Sequence, residues 1–376
     1  MTTTPSAEAE PTRPPGQVTT TLIHRAGRRP VPWWHHAVVY QVRGAADIES
    51  LAAMSAEISH VARLGATAVE IRVPEADPDE PGVSETVDKL IHRVHQRSLR
   101  FIVSLAGLPG DVALERGRSW LDRGVDGLDL GVLDGDAPID DVRALHALAA
   151  EREVVLTAAA SAARPEALAE HLHEHWLHVT RDDRLGIAAW DAAELRASIS
   201  DAYLQRAAVG APAGWMLTEL GADPWGLGAD AASRRRRRAA TLIMLALPGT
   251  VYLHQGEAVG VTPRPDDPAG SIGEVAEVAA EQRGTPGSPF EQYRDALRLR
   301  SELRLGTGPL AWIDDAPSPD TLALLTRDLM VLANLGQESV VVPSDREVLH
   351  ASDELPPPHD DRLLLPPDTT VWLAMG

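Results

Sequence analysis

Eight short apolar runs, each followed by a longer segment of helical period, constrain the fold of this chain more than any other feature. The runs have the length of buried strands, whereas the segments between them repeat their apolar residues at about 3.6 positions. This alternation is typical of βα units around a parallel sheet. The runs occupy residues 37–42, 68–73, 100–107, 127–133, 154–160, 175–180, 214–221 and 249–260. Eight strands with eight crossovers predict an α/β fold that closes into a (β/α)8 barrel, the TIM barrel.

The segments on either side of the barrel differ from it in composition. Residues 1–30 begin with a stretch rich in Thr, Pro and Ala, which predicts a disordered N-terminal arm before a barrel over residues 31–304. Residues 261–288, rich in Pro, Gly and acidic side chains, predict a long surface loop within the barrel. Short alternating apolar runs between turns fill residues 305–376 and predict a small C-terminal antiparallel β-domain.

Composition excludes several classes of function. The 376 residues include no cysteine, which rules out disulfides, thiolate catalysis and cysteine-bound zinc and fits a reducing compartment. A formal net charge of −20 repels the phosphate backbone, so nucleic acid is not an expected partner. The Arg run at 234–238 is instead interpreted as the solvated first turn of a helix. With no secretory signal and no apolar stretch near the ~18 residues of a membrane span, we expect a soluble cytoplasmic protein that does not bind membranes.

Five stretches of the sequence together carry a family resemblance. They read WWHHAVVYQV, SWLDRGVDGLDLGV, AAWDAAELRASI, LIMLALPGTVYLHQGEAVG and YRDALRLRSELRLGTGPLAWID. In this order they resemble the bacterial α-glucosidase branch of glycoside hydrolase family 13, the α-amylase superfamily. The resemblance runs from about residue 32 to the C-terminus, and ALPGTVYLHQGEAVG is its most specific part. It implies a (β/α)8 barrel followed by a C-terminal β-domain.

The same resemblance implies that the catalytic carboxylates are missing. The family has a nucleophilic Asp at the end of strand four, an acid/base Glu at the end of strand five and a second Asp after strand seven. This chain has Gly131, Ala158 and Gly221 at those positions, with Ala159 replacing Ala158 if the register shifts by one residue. The family's sugar-binding His after strand three is absent as well, because residues 104–109 read SLAGLP. No catalytic residue is therefore expected at a family position.

The family also inserts a lid domain between strand three and the following helix. Here SLAGLPGD leads directly into the predicted helix VALERGRSWLDRG. The barrel is therefore expected to lack the inserted lid domain.

Other polar residues could still line the mouth of the barrel. Asp129 lies two residues before Gly131 and points to the same side of its strand, at the position of the family's Arg. Glu219 and Asp223 flank strand seven, and Trp225 follows in a mouth loop, where its ring would stack on a sugar or cover the shortened top. A relocated catalytic pair of Asp129 and Glu219 is one interpretation, and polar mouth groups or ion-pair members are the other.

Two further features have structural interpretations. His171 and His175 have the i, i+4 spacing of a metal-binding helix face, but the sequence places no third ligand, so neither a metal nor a cofactor is expected. Trp33 and Trp34 are expected in the core at the bottom rim of the barrel.

These observations predict a non-catalytic α-glucosidase-like pseudoenzyme that acts as a binding, scaffold or regulatory protein in α-glucan or oligosaccharide metabolism. Its partner would be a carbohydrate or another protein, such as an active glycosidase. The alternative is an α-glycosidase or transglycosylase that uses the relocated carboxylates Asp129 and Glu219.

Overall fold

The structure, a computed structural model, describes most of the chain after the first 18 residues. The described residues are 19–26, 31–43, 48–72, 77–133, 139–152, 154–160, 176–207, 209–217, 230–262, 264, 267–343, 345–359 and 362–375.

Within this part of the chain, eight parallel strands form a closed barrel, as the sequence predicted. Each strand pairs with the next one along the chain, and the last pairs with the first. The strands are β2 (Val38–Arg43), β3 (Ala68–Arg72), β4 (Arg100–Ser104), β5 (Gly127–Val132), β6 (Val155–Ala160), β7 (Val179–Asp182), β8 (Ala213–Trp215) and β9 (Thr250–His254).

Helices follow the strands and bury their apolar sides against the outside of the barrel. The described helices are α1 (Ile48–Leu64), α2 (Val83–Gln96), α3 (Gly110–Asp122), α4 (Ile139–Ala150), α5 (Arg184–Ile187), α6 (Ala192–Ala207), α7 (Ala231–Ala246), α8 (Pro268–Gln282) and α9 (Pro289–Glu302). In α2 the buried residues Val83, Val87, Leu90, Ile91 and Val94 recur at three- and four-residue spacing, which places them on one face. Among the described helices, none combines the length and the apolarity needed to cross a membrane.

Strand alternation separates an outer core from the interior of the barrel. Tyr40 and Leu128 pack outward in the core under the helices, whereas Val39 and Ile102 pack in a separate interior cluster. Trp33 and Trp34 pack against this interior cluster just before the first barrel strand, as expected for the bottom rim. The C-terminal ends of the strands, at the opposite end of the barrel, form its mouth.

The connection after β4 confirms that the barrel lacks the inserted lid domain at this point. Strand β4 ends at Ser104 and helix α3 begins at Gly110, so only residues 105–109 lie between them.

The C-terminal part is an antiparallel β-domain, as predicted. Its strands are β1 (Thr20–His24), β10 (Leu310–Ile313), β11 (Thr321–Thr326), β12 (Leu329–Asn334), β13 (Val340–Pro343), β14 (Val348–Ala351), β15 (Arg362–Leu365) and β16 (Thr369–Ala374). Within the described residues they form a six-stranded sheet in the order β1-β10-β11-β12-β16-β14 and a β13-β15 pair.

The N-terminal segment contributes the remaining strand of this sheet. Strand β1 (Thr20–His24) pairs antiparallel with β10, and Thr21 Oγ1 donates a 2.8 Å hydrogen bond to Asp314 Oδ2. The prediction of a disordered arm over residues 1–30 is therefore wrong for residues 20–24, because the open edge of β10 supplies backbone partners for a short β-prone segment. Residues 1–18 and 27–30 lie outside the described residues.

The predicted loop over residues 261–288 is also wrong over much of its length. Helix α8 occupies Pro268–Gln282, with Pro268 in its first turn and Asp267 accepting a hydrogen bond from the Gly270 amide at 3.0 Å. Pro and an acidic residue here mark the start of a helix rather than a loop.

The Arg run lies in the first turns of α7, where it contacts the β-domain. Arg236 Nε lies 3.3 Å from Asp368 Oδ1, and an Arg238 terminal nitrogen lies 2.9 Å from Asp353 Oδ2. Arg238 Nε also donates to the Ser352 carbonyl oxygen at 2.9 Å. The run is therefore not simply a solvated turn, because it joins the barrel to the β-domain.

Candidate functional site at the barrel mouth

Six described strands place buried polar side chains in the mouth half of the barrel interior. Because side chains alternate along a strand, these residues share the inward direction, and in such barrels functional groups lie at the C-terminal strand ends. A cavity of about 160 Å³ opens above them. The polar residues, one from each of β2 to β7, are Gln41, Glu70, Ser104, Asp129, Thr157 and Arg181.

Asp129 is the centre of this polar layer, and its carboxylate is fully engaged. The residue is 0% exposed. Its Oδ2 accepts hydrogen bonds from Ser104 Oγ and the Gly131 amide, each at 2.9 Å. Its Oδ1 accepts from Thr157 Oγ1 at 3.0 Å and from Arg181 at 2.6 Å. A carboxylate offers about four lone-pair positions, so the four described partners leave none directed at a substrate.

Arg181 on β7 carries the positive charge in this layer, and it contacts acidic residues on β5 and β3. One terminal nitrogen binds Asp129, and the other lies 3.9 Å from Glu70 Oε1. Glu70 Oε1 also accepts a 2.7 Å hydrogen bond from Gln41 Nε2. The guanidinium carbon lies 5.0 Å from the ring centroid of Tyr252, a cation–π contact that adds to its stability.

The pKa values of the pair follow from this geometry. Burial by itself raises the pKa of Asp129, but the Arg181 charge and the hydrogen bonds from Arg181, Ser104 and Thr157 bring that pKa below its ordinary value. Burial disfavours the charged Arg181, but the charges of Asp129 and Glu70 keep the Arg181 pKa well above its ordinary value. The two groups therefore stay ionised and paired, which is unsuited to donating a proton or attacking a sugar.

Gly131, the position that the resemblance assigns to the nucleophile, is too crowded to hold a side chain without strain. Gly131 has φ of +72°, in the left-handed region that favours glycine. A Cβ built on Gly131 would lie 2.4 Å from the Ala106 Cβ, closer than real contacts allow. The space that a nucleophilic carboxylate would need is occupied by the short β4–α3 connection.

At the acid/base position that the resemblance implies, Ala158, or Ala159 if the register shifts by one residue, has only a methyl side chain. Ala158 is buried in the outer core under the helices, so its side chain points away from the mouth. Ala159 follows the inward-facing Thr157 by two residues and therefore shares its direction. Neither alanine carries a proton to transfer.

The other sequence-predicted site residues fall in parts of the chain that the structure does not describe. Gly221, Glu219, Asp223 and Trp225 lie outside the described residues, as do His171 and His175. A catalytic pair of Asp129 and Glu219 therefore stays a prediction. Within the described part of the chain, no group of three His, Asp or Glu residues is arranged to hold a metal ion.

Sequence reasoning did not anticipate Glu70, Arg181 and Gln41 as members of the site. A signal was present in the apolar run AVEIRV and the segment VTRD, where charged residues interrupt a strand at inward-facing positions. A charge in a buried strand requires a partner, so such interruptions predict an interior network.

The C-terminal part of the chain matches a known family model. The model is described as "Domain of unknown function (DUF3459)" and matches residues 324–372, within the β-domain. The sequence has no match among curated proteins.

Solved structures resemble the chain much more extensively. An α-glucosyl transfer enzyme, XgtA, is 15% identical with a TM-score of 0.71, and the match covers 92% of this chain and 99% of that one. A "Family GH13_31 enzyme" is 12% identical with a TM-score of 0.67, covering 91% and 99%. The debranching enzyme of Nostoc punctiforme, in crystals soaked with acarbose, is 13% identical with a TM-score of 0.64, covering 94% and 100%. The chain therefore has the fold of glycoside hydrolase family 13 enzymes, a closed barrel followed by an antiparallel β-domain, as its sequence resemblance implied.

Proposed function

We propose that this protein is a non-catalytic, α-glucosidase-like pseudoenzyme that acts in α-glucan or oligosaccharide metabolism by binding, as a scaffold or regulatory protein. The metabolic assignment rests on the shared fold, since the α-glucosyl transfer enzyme and the debranching enzyme match almost their full lengths to this chain. The observation that carries the non-catalytic assignment is the engagement of Asp129 by Arg181 and three further donors.

Retaining glycoside hydrolysis needs two carboxyl groups about 5 Å apart, one free to attack and one protonated. In the described part of the mouth, the carboxylates lining the cavity are Glu70 and Asp129, and Arg181 lies between them. Asp129 is buried, ionised and saturated with hydrogen bonds. This pair therefore supports a structural role for the carboxylates rather than the alternative of relocated catalysis.

The mouth cavity favours a small neutral ligand. Its volume of about 160 Å³ is below the ~300–1,000 Å³ of most ligand pockets, so it fits a monosaccharide-sized molecule better than a chain spanning a scissile bond. Among the described lining residues, the charges of Glu70 and Asp129 balance those of Arg72 and Arg181. A hydroxylated molecule matches this neutral, hydrogen-bonding surface.

The proposal includes a cytoplasmic location and allows a protein partner. A chain of 376 residues without cysteine suits a reducing compartment. An active glycosidase is the partner that a scaffold or regulator of this fold would serve.

Isothermal titration calorimetry with glucose, maltose, isomaltose, sucrose and trehalose tests the proposal. The matched variants are Val132→Arg, at a 55% exposed residue that lines the mouth, and Val348→Arg, at a 41% exposed residue on strand β14. We expect saturable heat without turnover, weakened about tenfold or more by Val132→Arg and unchanged by Val348→Arg.

Sustained heat of turnover that disappears in Asp129→Asn would overturn the proposal and support relocated catalysis. A flat trace for every sugar would contradict the carbohydrate-binding form, and the scaffold form would then be tested by co-purification with an α-glucosidase from the source cells.

A further inference from the structure

A second and larger cavity lies where the barrel meets the β-domain. We call it the junction groove. It is formed by residues 190–192 at the start of α6, the turn between β10 and β11, and residues 334–341 around the start of β13. Its volume of about 650 Å³ is within the ~300–1,000 Å³ typical of ligand pockets. None of its described lining residues belongs to the mouth cavity, so the two sites are separate.

Trp190 provides a fixed aromatic surface in the junction groove. Its Nε1 donates a 2.6 Å hydrogen bond to Asp368 Oδ1, and the Arg236 guanidinium carbon lies 5.6 Å from its ring centroid. The ring is therefore held in one orientation before any ligand arrives. A preorganised aromatic surface loses little conformational entropy on binding.

The opposite wall of the groove is also preformed. Asn334 Nδ2 donates to the Glu338 carbonyl at 2.8 Å and to the Leu365 carbonyl at 2.9 Å, and Asn334 Oδ1 accepts from the Gly336 amide at 3.0 Å. These bonds fix the loop that presents the exposed side chains of Gln337 and Glu338.

The lining combines apolar surface with hydrogen-bond acceptors. Pro317 and the 51% exposed Val341 add apolar area to that of Trp190. Gln337 and Glu338 supply amide and carboxylate oxygens, and Asp191 and Asp320 add two further exposed carboxylates. Among the described lining residues there is no Lys or Arg, so the groove repels anions.

We propose that the junction groove binds a neutral oligosaccharide. The apolar C–H faces of sugar rings match Trp190 and Val341, and sugar hydroxyls donate to the carboxylate and amide oxygens. A cationic ligand fits less well, because Asp191, Asp320 and Glu338 are all exposed, and exposed ion pairs contribute only about 0–1 kcal/mol. The volume, about four times that of the mouth cavity, suits several linked sugars rather than one.

This site stands on residues independent of the proposed mouth function, and only the choice of an α-linked probe rests on that function. Calorimetry of the full chain with maltohexaose uses three matched variants. Val341→Arg places a long charged side chain in the groove, Val132→Arg places one at the mouth, and Val348→Arg is the control at a surface site of similar exposure. We expect Val341→Arg to weaken maltohexaose binding by about tenfold or more, Val132→Arg to weaken the binding of glucose at the mouth instead, and Val348→Arg to change neither.

A charge-neutral variant distinguishes a sugar from a cation. Glu338→Gln keeps a hydrogen-bond acceptor but removes the charge, so a neutral oligosaccharide should bind within about fivefold of the wild-type affinity. Spermine is the comparison probe, because its attraction depends on the carboxylates. Maltohexaose binding that survives Val341→Arg, no maltohexaose binding at all, or spermine binding that Glu338→Gln abolishes would each overturn the proposal. Glucose binding lost only in Val132→Arg would leave the mouth function intact even then.

Discussion

Replacing Arg181 with Met tests the interior polar network, because it removes the charge and keeps much of the apolar length. Asp129, at 0% exposed, would then carry an uncompensated buried charge. Removing one partner of a buried ion pair costs about 3–5 kcal/mol of the free energy of unfolding. Ser104, Thr157 and the Gly131 amide would still donate to Asp129, so we expect a loss of about 3 kcal/mol, the lower end of this range.

The reverse substitution, Asp129→Asn, should cost less. Arg181 would keep Glu70 at 3.9 Å and its contact with the Tyr252 ring, so we expect a loss of about 1–3 kcal/mol. Because the two residues interact directly, the double variant should be more stable than the sum of the single losses implies, by about 1 kcal/mol or more.

Urea unfolding at pH 7 measures all three variants, with an unchanged m-value as the sign that the unfolding transition is comparable. The reasoning is refuted if Arg181→Met stays within about 0.5 kcal/mol of the wild type, the range of ordinary surface substitutions. The buried Asp129 charge would then not depend on Arg181 for compensation.

Three further substitutions test other parts of the structure. Gly131→Ala should destabilise the chain by about 1–3 kcal/mol more than Gly210→Ala in urea unfolding, because both have a positive φ but only Gly131 has a close contact, with Ala106. Burial raises the pKa of Glu57 to about 7, so above about pH 4.5 the folded protein keeps a proton that the unfolded chain releases. The free energy of unfolding therefore falls as pH rises from about 4.5 through 7. Glu57→Gln should show a smaller fall than the wild type between about pH 5 and pH 8 in urea unfolding. Arg238→Met should speed proteolytic separation of the barrel from the β-domain, whereas equal cleavage rates would show that the Arg run does not join them.

Much of the fold could be predicted from the sequence because local patterns determine it. The apolar runs and the helical segments between them were sufficient to place eight barrel strands, and strand β6 over Val155–Ala160 lies almost where its run predicted. Strand β1 could not be anticipated, because Thr20–His24 pairs with a strand almost 300 residues later and the local sequence carries no sign of that partner.

The site was predictable only in part, for the same reason. Strand alternation predicted an inward-facing Asp129, and the structure buries its carboxylate against the Gly131 amide. Its partner Arg181 comes from a strand 52 positions later, and sequence alone does not say which interior charges meet. The filled space beside Gly131 depends on the path of the β4–α3 connection, which periodicity does not determine.

The most direct test of the central claim is the release of glucose from maltotriose during a long incubation with the purified full chain, beside the Asp129→Asn and Glu219→Gln variants. If the barrel binds without catalysis, the wild-type protein should release no more glucose than either variant or buffer alone. Release by the wild type that Asp129→Asn or Glu219→Gln abolishes would contradict the account and identify the relocated catalytic group.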